Sequence, residues 1–301
     1  MRQVLFLALL PTLEACTSVR KPMVPAFRHP SPFATTERDS SLDQAVRGTE
    51  QEPRSPAPLE GSPRSWFGRT IDNLAADHLA FYDQGSLLAL GAGVGLAALS
   101  ANSQLDRDIY EDVLPEWRTG RVNRFRDDVL WLGDGAVMLP VFGAAALLAP
   151  TVGGEAIGEW GERSLRATLV GAPAVLALQR LTGAGRPDDP SNDHTSEWQP
   201  FDFSNGVSGH AFIGAIPFLT VAAMQDDPWI DGLSYVASTA VAAARLQGSR
   251  HYFSQVVLGW WIAFLATEAV DDSRLGVAPA ATTFVPYAGP DQVGFEVVHR
   301  F

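Results

Sequence analysis

The sequence holds a single cysteine, Cys16, among 301 residues, so no intramolecular disulfide can brace it. It has no internal repeat of fixed period, which sets aside solenoid and propeller architectures. No Cys/His or carboxylate cluster has metal-ligand spacing, and the chemistry is expected to need no metal or other cofactor. A basic excess is missing as well: the net charge is -12, which argues against nucleic acid as a partner. Residues 17–65 show little apolar periodicity. Rich in Pro, Ser, Arg and Glu, as in Gln51-Glu52-Pro53-Arg54-Ser55-Pro56-Ala57-Pro58, they read as a flexible tether that buries little.

What is present is apolar and helical. With 46% hydrophobic residues, the chain can build one substantial domain with appendages. Residues 1–16 join a short basic start, an apolar run and Leu13-Glu14-Ala15-Cys16, the pattern of a secretory signal. Cys16 is then a candidate for lipidation, as in a bacterial lipoprotein; the alternative is a plain signal peptide with an incidental cysteine. Six apolar helical segments are expected, at 76–102, 128–150, 156–183, 209–225, 231–246 and 254–271. Small residues such as Gly91-Ala92-Gly93-Val94-Gly95 suit close helix approach. The Arg/Asp-rich stretch 104–127 reads as a solvated link. Partial alternation on either side of Gly289-Pro290-Asp291 predicts a terminal β-hairpin, with His299 as an ordinary strand residue. The expected division is a signal over 1–16, a linker over 17–75, an all-α domain over 76–273 and a hairpin tail over 274–301.

Three polar pieces lie beside these apolar segments. They are Arg186-Pro187, Ser208-Gly209-His210, and Arg245 followed six residues later by His251. Arginine offers a planar fork of donors to phosphate oxygens. Histidine can act as nucleophile or proton donor near neutral pH. Ser208, between Gly206 and Gly209, marks a helix start whose free N–H groups favour an anion. His194, in the polar loop over 188–206, is read as a solvated loop residue.

Together these pieces resemble the signature of the type 2 phosphatidic acid phosphatase superfamily, which also contains bacterial acid phosphatases and vanadium haloperoxidases. That signature reads Lys, six residues, Arg-Pro; then Pro-Ser-Gly-His; then Ser-Arg, five residues, His, three residues, Asp. The resemblance covers roughly 76–273 and departs at four positions. Gln179 stands in the lysine position, Val207 in the proline, Ala244 in the serine and Gln255 in the aspartate. Arg180 is a candidate to replace the missing cation.

The resemblance implies a six-helix bundle and a metal-independent phosphatase acting on a lipid phosphate or a small phosphate ester. His251 would attack phosphorus and form a phosphohistidine, while His210 protonates the leaving oxygen and then activates water. Arg186, Arg245, Ser208, Gly209 and Gln179 with Arg180 would hold the phosphate. Vanadate would inhibit as a phosphate mimic. Gln255 can accept a hydrogen bond from His251 but brings no charge, so slower chemistry is expected. A catalytically weakened phosphate- or lipid-binding scaffold is the alternative, and a vanadium haloperoxidase a more distant one.

The expected location is the bacterial envelope. Spanning requires about 20 mostly apolar residues, and Asp134 interrupts the second segment. If the N-terminus is exported and all six segments span, the loop carrying Arg186 and Ser208 faces the cytoplasm. The opposite orientation gives the cytoplasm the acidic loop Gln225-Asp226-Asp227-Pro228. An exported bundle tethered by its N-terminus avoids the conflict; an integral six-span protein is the alternative.

Overall fold

The computed structural model describes residues 66–189, 195–276, 282–288 and 293–299. The expected signal, Cys16 and His194 lie outside them. The described chain is predominantly helical, but the six expected segments divide differently. The first is two helices, α1 (Trp66–Phe81) and α2 (Gln84–Ala101). They part at Asp83, whose carboxylate accepts the Ser86 N–H at 2.7 Å and caps α2. α1 begins at Trp66, inside the expected linker over 17–75.

The supposed solvated link is structured. It forms α3 (Leu105–Asp108), a π turn (Ile109–Val113), α4 (Leu114–Trp117) and α5 (Gly120–Val129). After a 3-10 turn (Leu130–Gly133), Asp134 caps rather than interrupts a helix: it accepts the Ala136 N–H at 2.9 Å and opens α6 (Gly135–Leu148). α7 (Glu155–Thr182) and α8 (Gly209–Ala223) follow. The fifth segment is again two helices, α9 (Pro228–Ser238) and α10 (Ala240–Gln247), and α11 (Phe253–Leu275) closes the bundle. Beyond it, β1 (Thr282–Ala288) and β2 (Val293–His299) pair antiparallel, with Thr282 opposite His299 and Ala288 opposite Val293.

α11 is the axis. It packs against α1, α2, α7 and α8, and Leu258, Ile262, Ala263 and Ala266 are almost wholly buried. Gly259 lets α8 approach: a Cβ there would run into the Ser208 carbonyl oxygen. The Ser208 N–H donates to the Gln255 carbonyl at 2.9 Å, tying the start of α8 to the first turn of α11. α7 ends at Gly183, whose φ of 60° and tight contact with the Gln199 backbone exclude a side chain. These constraints bring the C-terminal end of α7 and the N-terminal ends of α8 and α11 together.

At the opposite end, Arg166 makes a two-pronged bond to Asp77, at 2.6 and 2.7 Å, in a buried pair that joins α7 to α1. The outer faces are apolar. α2, the stretch Gly135–Val152 and α11 are each long and apolar enough to cross a membrane. Only 17% of the first two is buried, against 67% of α11. Leu88, Leu96 and Leu99 of α2 and Leu147 and Leu148 of α6 are exposed, an apolar surface that points to membrane association.

Candidate active site

Arg186 follows α7, His210 opens α8, and Arg245 lies in the last turn of α10. These three line one cavity of about 560 Å³, together with Arg126, Asp127, Leu130, Ala244, Gly248 and Arg250. Four arginines converge there in a chain whose net charge is -12.

The Nε atoms of Arg186 and Arg245 are buried and have no hydrogen-bond partner. A buried charged donor left unpaired is costly, and an anion in the cavity would satisfy both. Burial, the neighbouring Arg186 and then Arg250 push the Arg245 guanidinium down to about 10. At neutral pH it still carries its charge.

His251 lies just behind this lining and is 4% exposed. Its ring feels the charges of Arg245, Arg186 and His210, so it belongs to the same cluster. The Gln255 amide fixes how it is held. Gln255 Nε2 donates to the Gly185 carbonyl at 2.8 Å, which turns Oε1 toward His251 Nδ1, also at 2.8 Å. Oε1 accepts the Tyr252 N–H at 3.2 Å too. An amide oxygen can only accept, so Nδ1 carries the proton and Nε2 keeps its lone pair. Burial first, then Arg245, lowers the His251 pKa to about 3, and the ring is neutral throughout the physiological range. His210 is shifted down as well, by burial and then by Arg245.

The remaining expected residues take other places. Ser208 is fully buried and caps α8, its hydroxyl oxygen accepting the Ala211 N–H at 3.3 Å; it does not line the cavity. Gly209 is the first residue of α8. Gln179 is not in the lining; its Nε2, beside Gly209, donates to the Val207 carbonyl at 2.9 Å. Arg180 is exposed on α7 and is not in the lining, so it does not replace the missing lysine there.

Three features were not foreseen from sequence. Arg126 and Asp127 enter the lining from α5. Arg250 pairs with Asp188 at 2.7 Å. Asp106, fully buried, accepts the Ser254 N–H at 2.9 Å and the Ser254 hydroxyl at 2.5 Å, and also receives the Ser100 hydroxyl at 2.9 Å. Tyr252 holds the N-cap position of α11. Arg250 could have been suspected from its place beside His251. Nothing local marks Arg126 or Asp106.

The family model of the PAP2 superfamily matches residues 164–270, the segment that supplies Gln179, Arg186, Ser208, His210, Arg245, His251 and Gln255. Over this segment, about a third of its length, the chain is similar to the PAP2 superfamily. No curated protein and no solved structure gives a significant match to the chain. That similarity suggests phosphatase-type activity on phosphate esters as the class of function. Arg126, Asp127 and Asp106 lie outside the matched segment, contributed by the preceding helices.

Proposed function

We propose that the chain is a metal-independent phosphatase that cleaves a phosphate monoester, a lipid phosphate or a small ester, through a phosphohistidine on His251. The observation that carries this reading is the pair of buried, unpartnered Arg186 and Arg245 Nε atoms close to a histidine whose Nδ1 is engaged by the Gln255 amide oxygen. The phosphoryl group occupies the cavity, its oxygens bonded by the two guanidiniums. His251 Nε2 attacks phosphorus as the P–O ester bond breaks. His210, on the cavity wall, gives its proton to the departing oxygen. It then takes a proton from the water that attacks the phosphohistidine, and phosphate leaves. The arginines offset charge on the transferring group, as preorganised donors in a site partly withdrawn from water.

The apolar faces of α2 and α6 support membrane attachment and favour a lipid phosphate as substrate. Export and lipidation at Cys16 complete the reading, placing the bundle in a bacterial envelope.

Purified protein is expected to release phosphate from an aryl phosphate in EDTA, to be inhibited by orthovanadate, and to lose turnover in His251→Ala with its fold kept. Turnover undiminished in His251→Ala would overturn the mechanism. A second reading has one observation in its favour: Gln255 gives the His251 ring an acceptor but no charge. A phosphate- or lipid-binding scaffold would bind phosphate through Arg186 and Arg245 yet show no turnover on aryl or lipid phosphates.

A further inference from the structure

Next to the cavity lies a second hollow, of about 300 Å³, lined by Arg118, Asn123, Arg126, Gln247, Gly248 and Ser249. It shares Arg126 and Gly248 with the first. Two of its six lining residues are arginines, three offer amides or a hydroxyl, and none is acidic.

Its side chains are held in place. Buried Gln247 donates to the Asn123 side-chain oxygen and accepts from Arg126 at 3.3 Å. Arg118 donates to the Ser249 hydroxyl at 2.9 Å and lies over the Tyr110 ring, 5.1 Å from its centre. Tyr110 in turn stands edge-on to Tyr252, the neighbour of His251. The hollow is thus built onto the loop that carries the histidine.

Arg126 faces both spaces. Its own partner, Asp127, bonds it at 2.8 Å, but the Asp127 side chain is 64% exposed. Such a pair is screened by water and readily exchanged for a ligand of higher charge. The sequence has one lysine, Lys21, far from the matched segment, and Gln179 is tied to a backbone carbonyl. Apart from His210, the basic side chains that line the two spaces are all arginines.

We propose that Arg126 and Arg118 form a second anion subsite, and that the preferred substrate carries a second anionic group close to the scissile ester. Resting on the phosphatase reading above, this names the substrate class of the same site. A guanidinium placed between two anionic groups can donate to both, which a point charge does less well.

The test uses the full-length chain in detergent and measures binding of methylphosphonate, methylenediphosphonate and phosphonoacetate by calorimetry. The wild type is expected to bind methylenediphosphonate at least about tenfold more tightly than methylphosphonate, about 1.4 kcal/mol. Arg126→Gln and Arg118→Gln should each bring that ratio to within about twofold of one. Arg118→Lys, which keeps the charge, should retain part of it. Arg124→Gln is the control for general charge, since Arg124 is exposed on α5 outside both linings. It should leave the ratio unchanged. An equal preference for phosphonoacetate shows that the subsite takes a carboxylate as well as a phosphonate, and supports it. Methylphosphonate binding that is lost in Arg245→Gln, with no preference for the doubly anionic probes, overturns the subsite alone. Failure of the wild type to bind any probe overturns the phosphatase reading with it.

Discussion

In the phosphatase mechanism proposed above, His251 and Gln255 set the chemistry between them. The amide orients the ring but cannot stabilise the positive charge that grows on it as the N–P bond forms. Gln255→Asp is expected to raise the His251 pKa from about 3 and to speed turnover by at least about tenfold. Stopped-flow phosphate release would check it, and an unchanged rate would show that the amide suffices. The two histidine pKa values also predict the pH profile. His251 must be neutral and His210 protonated, so kcat/KM should peak in acid, above about 3 and below the ordinary histidine value, and fall as His210 deprotonates. A profile rising through pH 7 would contradict this assignment. The same depression has a stability sign. Between about pH 3 and 6.5 the unfolded His251 binds a proton that the folded one does not, so stability falls on acidification through that window. His251→Phe should flatten that part of the curve.

At the scale of elements, the first turn of α11 is positioned from two sides. α8 grips it through the Ser208–Gln255 backbone bond and the contact at Gly259. Asp106, from the short α3, receives the Ser254 N–H and hydroxyl. Asp106→Ala leaves those buried donors without an acceptor and should cost about 2–4 kcal/mol in denaturant melting. A loss below about 0.5 kcal/mol would show that α11 does not depend on it. This is also where sequence and structure part company. Arg186, His210 and Arg245 could be read from the chain because each sits at the end of an apolar segment, where a polar cluster stands out. Asp106 and Arg126 could not. Their partners Ser254 and Gln247 lie 148 and 121 positions away, and a stretch dense in Arg and Asp looks the same whether water or protein covers one face. Likewise, Asp134 looked like an interruption, but it caps a new helix and does not break an old one.

For the whole molecule, the exposed apolar faces of α2 and α6 are expected to meet lipid. The sequence showed apolar segments but not how little of each the bundle covers, since burial depends on packing between distant helices. If α2, Gly135–Val152 and α11 cross the bilayer, Cys16→Ser should leave the protein in the alkaline-carbonate-resistant membrane pellet. Leu96→Arg with Leu99→Arg, on the exposed face of α2, should sharply reduce the inserted amount, by about 2.5–3.5 kcal/mol per arginine near the bilayer centre. Release of Cys16→Ser into the soluble fraction would instead show a bundle held to the membrane only by its N-terminus. In either case the site lies where the loops after α7 and α10 meet, at one end of the helices.

The most direct test of the central claim is to quench the enzyme during turnover and locate the covalent phosphate by peptide mapping. An acid-labile phosphoryl group on the peptide containing His251, absent from His251→Ala, is the predicted result. Turnover with the phosphoryl group on any other residue, or at an undiminished rate in His251→Ala, would contradict it.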